Sequence, residues 1–272
     1  MQAETVTLRR DYIDIADGQV HRVARAGRGT PVVFLHQTAS SSRMWLATMA
    51  RLGVGNPLWA LDTPGFGNSF DPATEPGMGD YIGWLAEVLD RLEAPRVHLV
   101  GHHTGASIAL AYAIERPEAV ASLTLLGPAV LTAAEREHYA ARLGAPFRPQ
   151  RSGAYLLKNW EYLRVGGADA DTGLLHREMI DMLRGWAARP HAYRAVWAQD
   201  TGEQLARIEC PLHLISSPDD LLFDQFTKAC ALRPDAMATV LSGGANFSPD
   251  LVTGELVAAL EESDFYAHGL AG

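Results

Sequence analysis

Short apolar, β-branched runs alternate with amphipathic stretches through most of this chain, and that alternation leaves few architectures open. PVVFLHQ (Pro31–Gln37) is apolar at successive positions, as a strand must be when both faces are covered. SSRMWLATMARLG follows, spacing Met44, Leu46, Met49 and Leu52 along a helix face, with Ser41 or Ser42 as N-cap and Gly53 as stop. PLWALD is a strand, DYIGWLAEVLDRL an amphipathic helix, RVHLVG a strand, GASIALAYAIERP a helix and VASLTLLGP another strand. Ahead of them, VTLRRDYIDI and VHRVARA are paired strands around the turn residues Asp17 and Gly18. Strands and helices alternating at this pace predict an α/β fold: a mostly parallel twisted sheet flanked by helices on both faces.

The alternation stops near Leu131 and resumes near Ile208. In between, stretches such as GAYLLKNWEYL and LLHREMIDMLRGWAARP lack strand character and carry Trp160, Trp186 and Trp197. Strand signals return in CPLHLISSPDD and MATVLSGGANF, and LVTGELVAALEESDF is a final helix. We therefore expect one core domain from residues 1–130 and 209–272, interrupted by a helical lid at 131–208. A chain of 272 residues suits one such domain.

Charge and composition exclude several roles. The formal net charge of −9 argues against nucleic acid, which demands a basic face. Cys210 and Cys230 form no disulfide framework and show no metal spacing, so both are expected as buried structural thiols. The polar start MQAETVTLRRDY lacks the apolar centre of a signal peptide, and no run approaches the ~20 apolar residues of a membrane span. The expectation is a cytoplasmic protein with a small-molecule substrate and neither membrane nor nucleic-acid partner.

Four short motifs then stand out in order: FLHQT (Phe34–Thr38), DTPGFGNS (Asp62–Ser69), GHHTG (Gly101–Gly105) and SSPDD (Ser216–Asp220). Together they resemble the α/β-hydrolase superfamily over nearly the whole chain. The first is similar to its His-Gly-x loop, the second to Asp-x-Pro-Gly-x-Gly-x-Ser, and the third to the nucleophile elbow, Gly-x-nucleophile-x-Gly. The fourth resembles the loop bearing the triad acid, which aligns at Asp220 in preference to Asp219. The resemblance implies an α/β-hydrolase fold with a helical lid.

Three positions depart from the family. His103 occupies the nucleophile position, GGANF puts Asn246 where the late histidine stands, and Gln37 replaces the glycine of the first motif. Ser-His-Asp hydrolysis cannot be carried over, because asparagine takes no proton near neutrality and Thr104 has no evident base. An imidazole on the elbow has three routes: general base, direct nucleophile, or hydrogen-bond donor to a bound ligand. The general base leads, since imidazole is the side chain that ordinarily titrates near neutral pH. Asn246 is expected to fix the ring's tautomer, with Asp220 orienting Asn246. The resemblance implies an oxyanion hole from Thr104, at a helix N-terminus, and Thr38.

Plainer roles stand beside these. His36 is a loop brace or a substrate contact, and Gln37 an extra amide donor or a space filler. His102 packs beside the sheet; Asp62 and Ser69 are turn residues. His36, His102 and His103 could be drawn as a metal cluster, but no carboxylate or spacing supports it, so neither metal nor organic cofactor is expected. Tyr155, Trp160, Tyr162, Trp186 and Trp197 either line the pocket or bury the lid; Trp160 and Trp186 are the expected substrate contacts. The sequence thus predicts an atypical hydrolase-superfamily enzyme in which His103 acts as base on a carbonyl-containing, largely apolar substrate. It would act by activating water on an ester, lactone or C–C bond, or by non-hydrolytic proton transfer as a lyase, isomerase or cyclase. The alternative is an inactive homologue that binds or senses a ligand, and turnover separates the two.

Overall fold

The computed structural model describes residues 6–143, 145 and 147–266. Its elements, in chain order, are β1 (Arg9–Ile15), β2 (Gly18–Arg25), β3 (Val32–Leu35), α1 (Leu46–Arg51), β4 (Leu58–Leu61), α2 (Met78–Arg91), β5 (Val97–His102), α3 (Thr104–Glu115) and β6 (Val120–Leu126). Five helices follow: α4 (Ala133–Leu143), α5 (Ala154–Val165), α6 (Thr172–Arg184), α7 (Arg189–Trp197) and α8 (Thr201–Ala206). The chain then forms β7 (Leu212–Ser216), α9 (Phe223–Leu232), β8 (Met237–Val240), α10 (Ser248–Leu251) and α11 (Thr253–Glu262).

All eight strands join one sheet in the order β1-β2-β4-β3-β5-β6-β7-β8. β1 pairs antiparallel with β2, with Ile15 opposite Gly18 at the hairpin turn, and β2 pairs antiparallel with β4. From β4 to β8 every pairing is parallel. The order places β3 between β4 and β5. The connections leaving β3 and β5 therefore part in opposite directions, which opens a crevice at their carboxyl ends, where open α/β sheets bind ligands.

Side-chain alternation along β3 divides the core. Val32 and Phe34 join an apolar cluster with Met44, Met49, Leu256 and Leu260. Val33 and Leu35 join the opposite cluster with Leu85, Leu89 and Leu110. Each such fully buried side chain contributes on the order of 1.5–3 kcal/mol. Helix α3 is buried from Thr104 through Ala113 and is rich in small residues. Gly105 explains why: a Cβ there would lie 2.2 Å from the Leu35 carbonyl oxygen.

Local differences from the sequence reading have local causes. SSRMWLATMARLG opens with a 3₁₀ turn, Ser42–Trp45, capped by the Ser41 hydroxyl accepting from the Arg43 N–H at 3.3 Å. The stretch LLHREMIDMLRGWAARP breaks after Arg184, and at the break Gly185 abuts Phe66, whose ring a Cβ would meet at 2.6 Å. The last strand is confined to Met237–Val240 because the chain turns through Gly244 at φ 103°. Cys210 and Cys230 are unpaired as expected, but half-buried rather than buried. Among the described residues no helix is long and apolar enough to cross a membrane.

Candidate active site

The elbow is built by close packing that only glycine permits. Between β5 and α3, His103 takes φ 48° and ψ −105°, a left-handed conformation rare for a side-chain-bearing residue. A Cβ on Gly101 would lie 2.4 Å from the Gly105 carbonyl oxygen, and Gly105 itself abuts β3. Hydrogen bonds pin the turn on both sides. The His103 N–H donates to Leu126 O at 2.9 Å, and His103 O accepts from the Ser107 N–H at 3.0 Å.

From this pedestal the imidazole reaches the acid loop directly. His103 Nε2 lies 3.1 Å from Asp220 Oδ1 and 3.0 Å from Oδ2. Asp220 is buried and also accepts from the Leu222 N–H at 2.7 Å, whereas Asp219 is exposed, so Asp220 is the acid the loop presents. A carboxylate accepts, so Nε2 carries the proton and Nδ1 is left with the lone pair; Nδ1 has no hydrogen-bond partner among the described residues. Gly127, at the end of β6, makes room for the pair: a Cβ there would sit 2.4 Å from His103 Cδ2 and 2.6 Å from Nε2.

The expected relay through Asn246 is therefore corrected. Its side-chain oxygen accepts from the Leu221 N–H at 3.2 Å, and its main-chain oxygen accepts from Gln37 Nε2 at 2.8 Å. Asn246 braces the junction of two loops, because His103 already meets Asp220. Gln37 spends one amide N–H on that brace.

A cavity of about 130 Å³ lies over the elbow, bounded by Gln37, Thr38, His103, Thr104 and Asn246 on the sheet side. Thr38 N–H donates to no group among the described residues, and Thr104 N–H begins α3 and lacks an intrahelical acceptor. Both expected oxyanion donors thus border the same space as the imidazole. Of the five aromatics considered, Tyr162 and Trp197 line the cavity, and Tyr155, Trp160 and Trp186 do not. Trp160 packs instead against the apolar cluster around Leu163 and Leu175, and Trp186 follows the break after α6, half-buried. His36 does not line the cavity either. It is buried beneath, its Nδ1 bonded to Gln37 O at 2.8 Å and its Nε2 accepting from the Thr63 N–H at 2.9 Å. Burial lowers its pKa, which keeps this brace neutral.

Sequence reasoning missed Tyr193, Met182 and Glu178. Tyr193 stacks on Trp197 (5.3 Å, 29°), meets the Tyr162 hydroxyl at 3.1 Å and donates to Thr38 O at 3.4 Å. Glu178 was legible in principle. It falls among Leu174, Leu175, Met179 and Met182 on the buried face of α6, where a carboxyl is out of place.

Asp62 is structural, as the sequence suggests. It accepts from the Ser42 N–H (2.6 Å), the Asn68 N–H (2.8 Å) and His21 Nδ1 (2.9 Å), while Ser69 Oγ donates to Asp62 O (2.6 Å). Burial alone would raise its pKa, but these bonds and the nearby His36 outweigh it and hold the carboxyl at about 2.

One grouping of metal-ligating side chains is found among the described residues: His102, His103 and Asp220, with ligand atoms within 4.8 Å of one another. The carboxylate absent from the sequence-level cluster is thus supplied by Asp220, and His36 plays no part. His102 is fully buried, its pKa lowered by burial and by His103, and neither ring nitrogen has a hydrogen-bond partner among the described residues. Two imidazoles and a carboxylate suit a transition metal in composition. His103 Nε2 and the Asp220 carboxylate are already bonded to each other.

Comparison with known proteins agrees with this architecture. Residues 30–155 match the family model described as the alpha/beta hydrolase fold. Over 168 residues (61% of this chain), the sequence is 30% identical to the dihydrolipoyllysine-residue acetyltransferase component of the acetoin cleaving system of Cupriavidus necator; the match spans 42% of that longer protein. It is 22% identical to the (E)-2-((N-methylformamido)methylene)succinate hydrolase of Acinetobacter baylyi, over 76% of this chain and 79% of the relative. The crystal structure of the enol-lactonase from Burkholderia xenovorans superposes with a TM-score of 0.75 at 16% identity, covering 93% of this chain and 99% of that one.

Proposed function

We infer that this chain, a member of the α/β-hydrolase superfamily, is a hydrolase of small, largely apolar esters or lactones that works through a histidine base rather than an acyl-serine. One observation carries this reading: His103 is held by Asp220 through Nε2, leaving Nδ1 unpartnered on a residue that lines the cavity. Asp220 fixes the tautomer and stabilises the imidazolium once the ring takes a proton. Water placed between Nδ1 and a bound carbonyl loses a proton to the ring. Its oxygen attacks the carbonyl carbon, and the developing oxyanion meets the N–H groups of Thr38 and Thr104. Tyr162, Tyr193 and Trp197 give the substrate an aromatic wall. The relatives support a hydrolytic reaction, since the enol-lactonase and the succinate hydrolase are named for hydrolysis.

The test is a panel of aryl esters, aryl lactones, enol lactones and 1,3-diketones assayed with wild type and His103→Ala. His103→Ala is expected to keep its circular-dichroism spectrum and lose ~10²–10⁴-fold in kcat/KM on whatever member turns over. A loss below ~10-fold removes His103 as base. Saturable binding with no turnover anywhere in the panel makes the protein a ligand-binding homologue.

A further inference from the structure

The cavity has a second titratable wall, opposite in chemistry to the first. Glu178 lines it while being 2% exposed overall. Three donors converge on one of its two oxygens: Ser40 Oγ at 3.0 Å, Arg177 Nε at 3.1 Å and Arg177 Nη2 at 2.6 Å all bond Oε1. Oε2 has no partner among the described residues. The carboxyl is therefore clamped by one oxygen, with the other left for a proton or a ligand.

The surroundings favour the protonated form. Burial drives the Glu178 pKa up to about 7; Arg177 opposes the rise, and Asp181 and Asp250 reinforce it. Arg177 cannot neutralise Glu178 by itself, because it also holds Asp250 at 2.6 and 2.7 Å. One cation thus serves two carboxylates. Asp181 lies one turn along α6, tied to Ser41 Oγ at 2.7 Å and facing Arg43. The other titratable groups lining the cavity are His103, which is bonded to Asp220, and the hydroxyls of Tyr139, Tyr162 and Tyr193. A histidine with an unpartnered ring nitrogen and a carboxyl whose burial favours its protonated form, both lining one cavity, make the pairing proton-transfer enzymes use.

We propose that Glu178 is the acid partner of His103: its Oε2–H hydrogen-bonds the substrate oxygen and delivers the proton that the departing oxygen needs. This rests on the hydrolytic reading of the cavity. Water gives its proton to His103 Nδ1, and the oxygen's electron pair forms the new C–O bond while the carbonyl π pair moves to oxygen. On collapse that pair re-forms C=O, the bond to the leaving oxygen breaks with its electrons, and that oxygen takes the proton from Oε2. Imidazolium and carboxylate remain, and proton return through solvent resets both.

The experiment uses two readouts that do not need turnover. First, difference infrared titration of the free protein follows the C=O stretch of a protonated carboxyl. Wild type and His103→Ala are expected to show one such band disappearing near pH 7, and Glu178→Gln to lack it. Second, anisole, an aryl ether that cannot be hydrolysed and offers only an oxygen of the leaving-group type, reports hydrogen bonding through its own C–O stretch. The bound stretch is expected at lower frequency at pH 6 than at pH 8.5 in wild type, and pH-independent in Glu178→Gln. On any substrate the panel returns, Glu178→Gln should cost ~10²–10⁴-fold in kcat. Absence of the titrating band, a pH-independent or unbound ether in wild type, or a Glu178→Gln loss below ~10-fold would overturn the proposal. If the panel is silent while both infrared signatures appear, the hydrolytic reading falls and the acid wall stands.

Discussion

Gly127→Ala should disable the site without removing any functional group. Gly127 sits at φ 57°, where alanine costs roughly 1–2 kcal/mol of backbone strain. That alone lowers Tm by a few degrees, at about 2–4 °C per kcal/mol for a chain of 150–250 residues. The second effect is specific. The new Cβ would stand 2.4 Å from His103 Cδ2, against an ordinary contact of 3.4 Å or more, so the ring must retreat by about 1 Å. Nε2 starts 3.0 Å from Asp220 Oδ2, and a shift of that size carries it out of good hydrogen-bond range. Displacement of a reacting group by about 1 Å costs on the order of 10²-fold in rate. Gly29→Ala is the control, since Gly29 has φ 83° but nothing within 4 Å of a Cβ. Thermal denaturation and kcat/KM should separate the two variants. Both lose a few degrees, and only Gly127→Ala loses ~10²-fold in activity. Gly127→Ala with kcat/KM within threefold of wild type would refute the claim that this glycine sets the ring position. Equal losses in the two variants would reduce the effect to general destabilisation.

Two further outcomes are expected. Burial holds His98 and His213 at about 4, below the 6.5 of a free imidazole, so the unfolded chain binds protons first and stability is lost as pH falls from about 6.5 through 4. Asp62, at about 2 against 3.8, adds a loss on the order of 2 kcal/mol below pH 4, while Glu178 works the opposite way, its contribution fading as pH rises through about 7. Urea midpoints from pH 8 to 3 should fall through the acid range, less steeply in His213→Gln; identical slopes would mean His213 is protonated without penalty. Wild type should resist fluorophosphonate labelling, and His103→Ser combined with Asn246→His should gain labelling and weak 4-nitrophenyl acetate hydrolysis beyond either single change. Stoichiometric labelling of wild type would expose a serine route.

The scaffold was legible because its constraints are local. The apolar pair Val32 and Val33 can only be a strand covered on both sides, and Gly101 and Gly105 frame a turn that a Cβ would close. Glu178 also left a trace, as a carboxyl on an apolar helix face, yet its meaning depends on Arg177 being shared with Asp250, 73 residues away. The cavity aromatics were the least legible. Tyr193 and Trp160 carry the same kind of signal, and only the packing of α6 and α7 decides that one faces the cavity and the other does not.

The Asn246 assignment failed for an instructive reason. Motif alignment fixes positions along the chain, but a side chain's reach depends on its length. A serine on the elbow is short, so a second residue must bridge from it to the acid. His103 is long enough to span that gap, meeting Asp220 at 3.0 Å over the floor that Gly127 leaves open. Once the elbow imidazole fills the bridging space, a second ring at position 246 has no room and no proton to relay. Asparagine fits there because it is compact and can brace Leu221 and Gln37. His103 and Asn246 are thus one coupled departure from the family pattern. Either reversion alone should therefore be worse than both together: His103→Ser strands Asp220 without its partner, and Asn246→His crowds the ring already present.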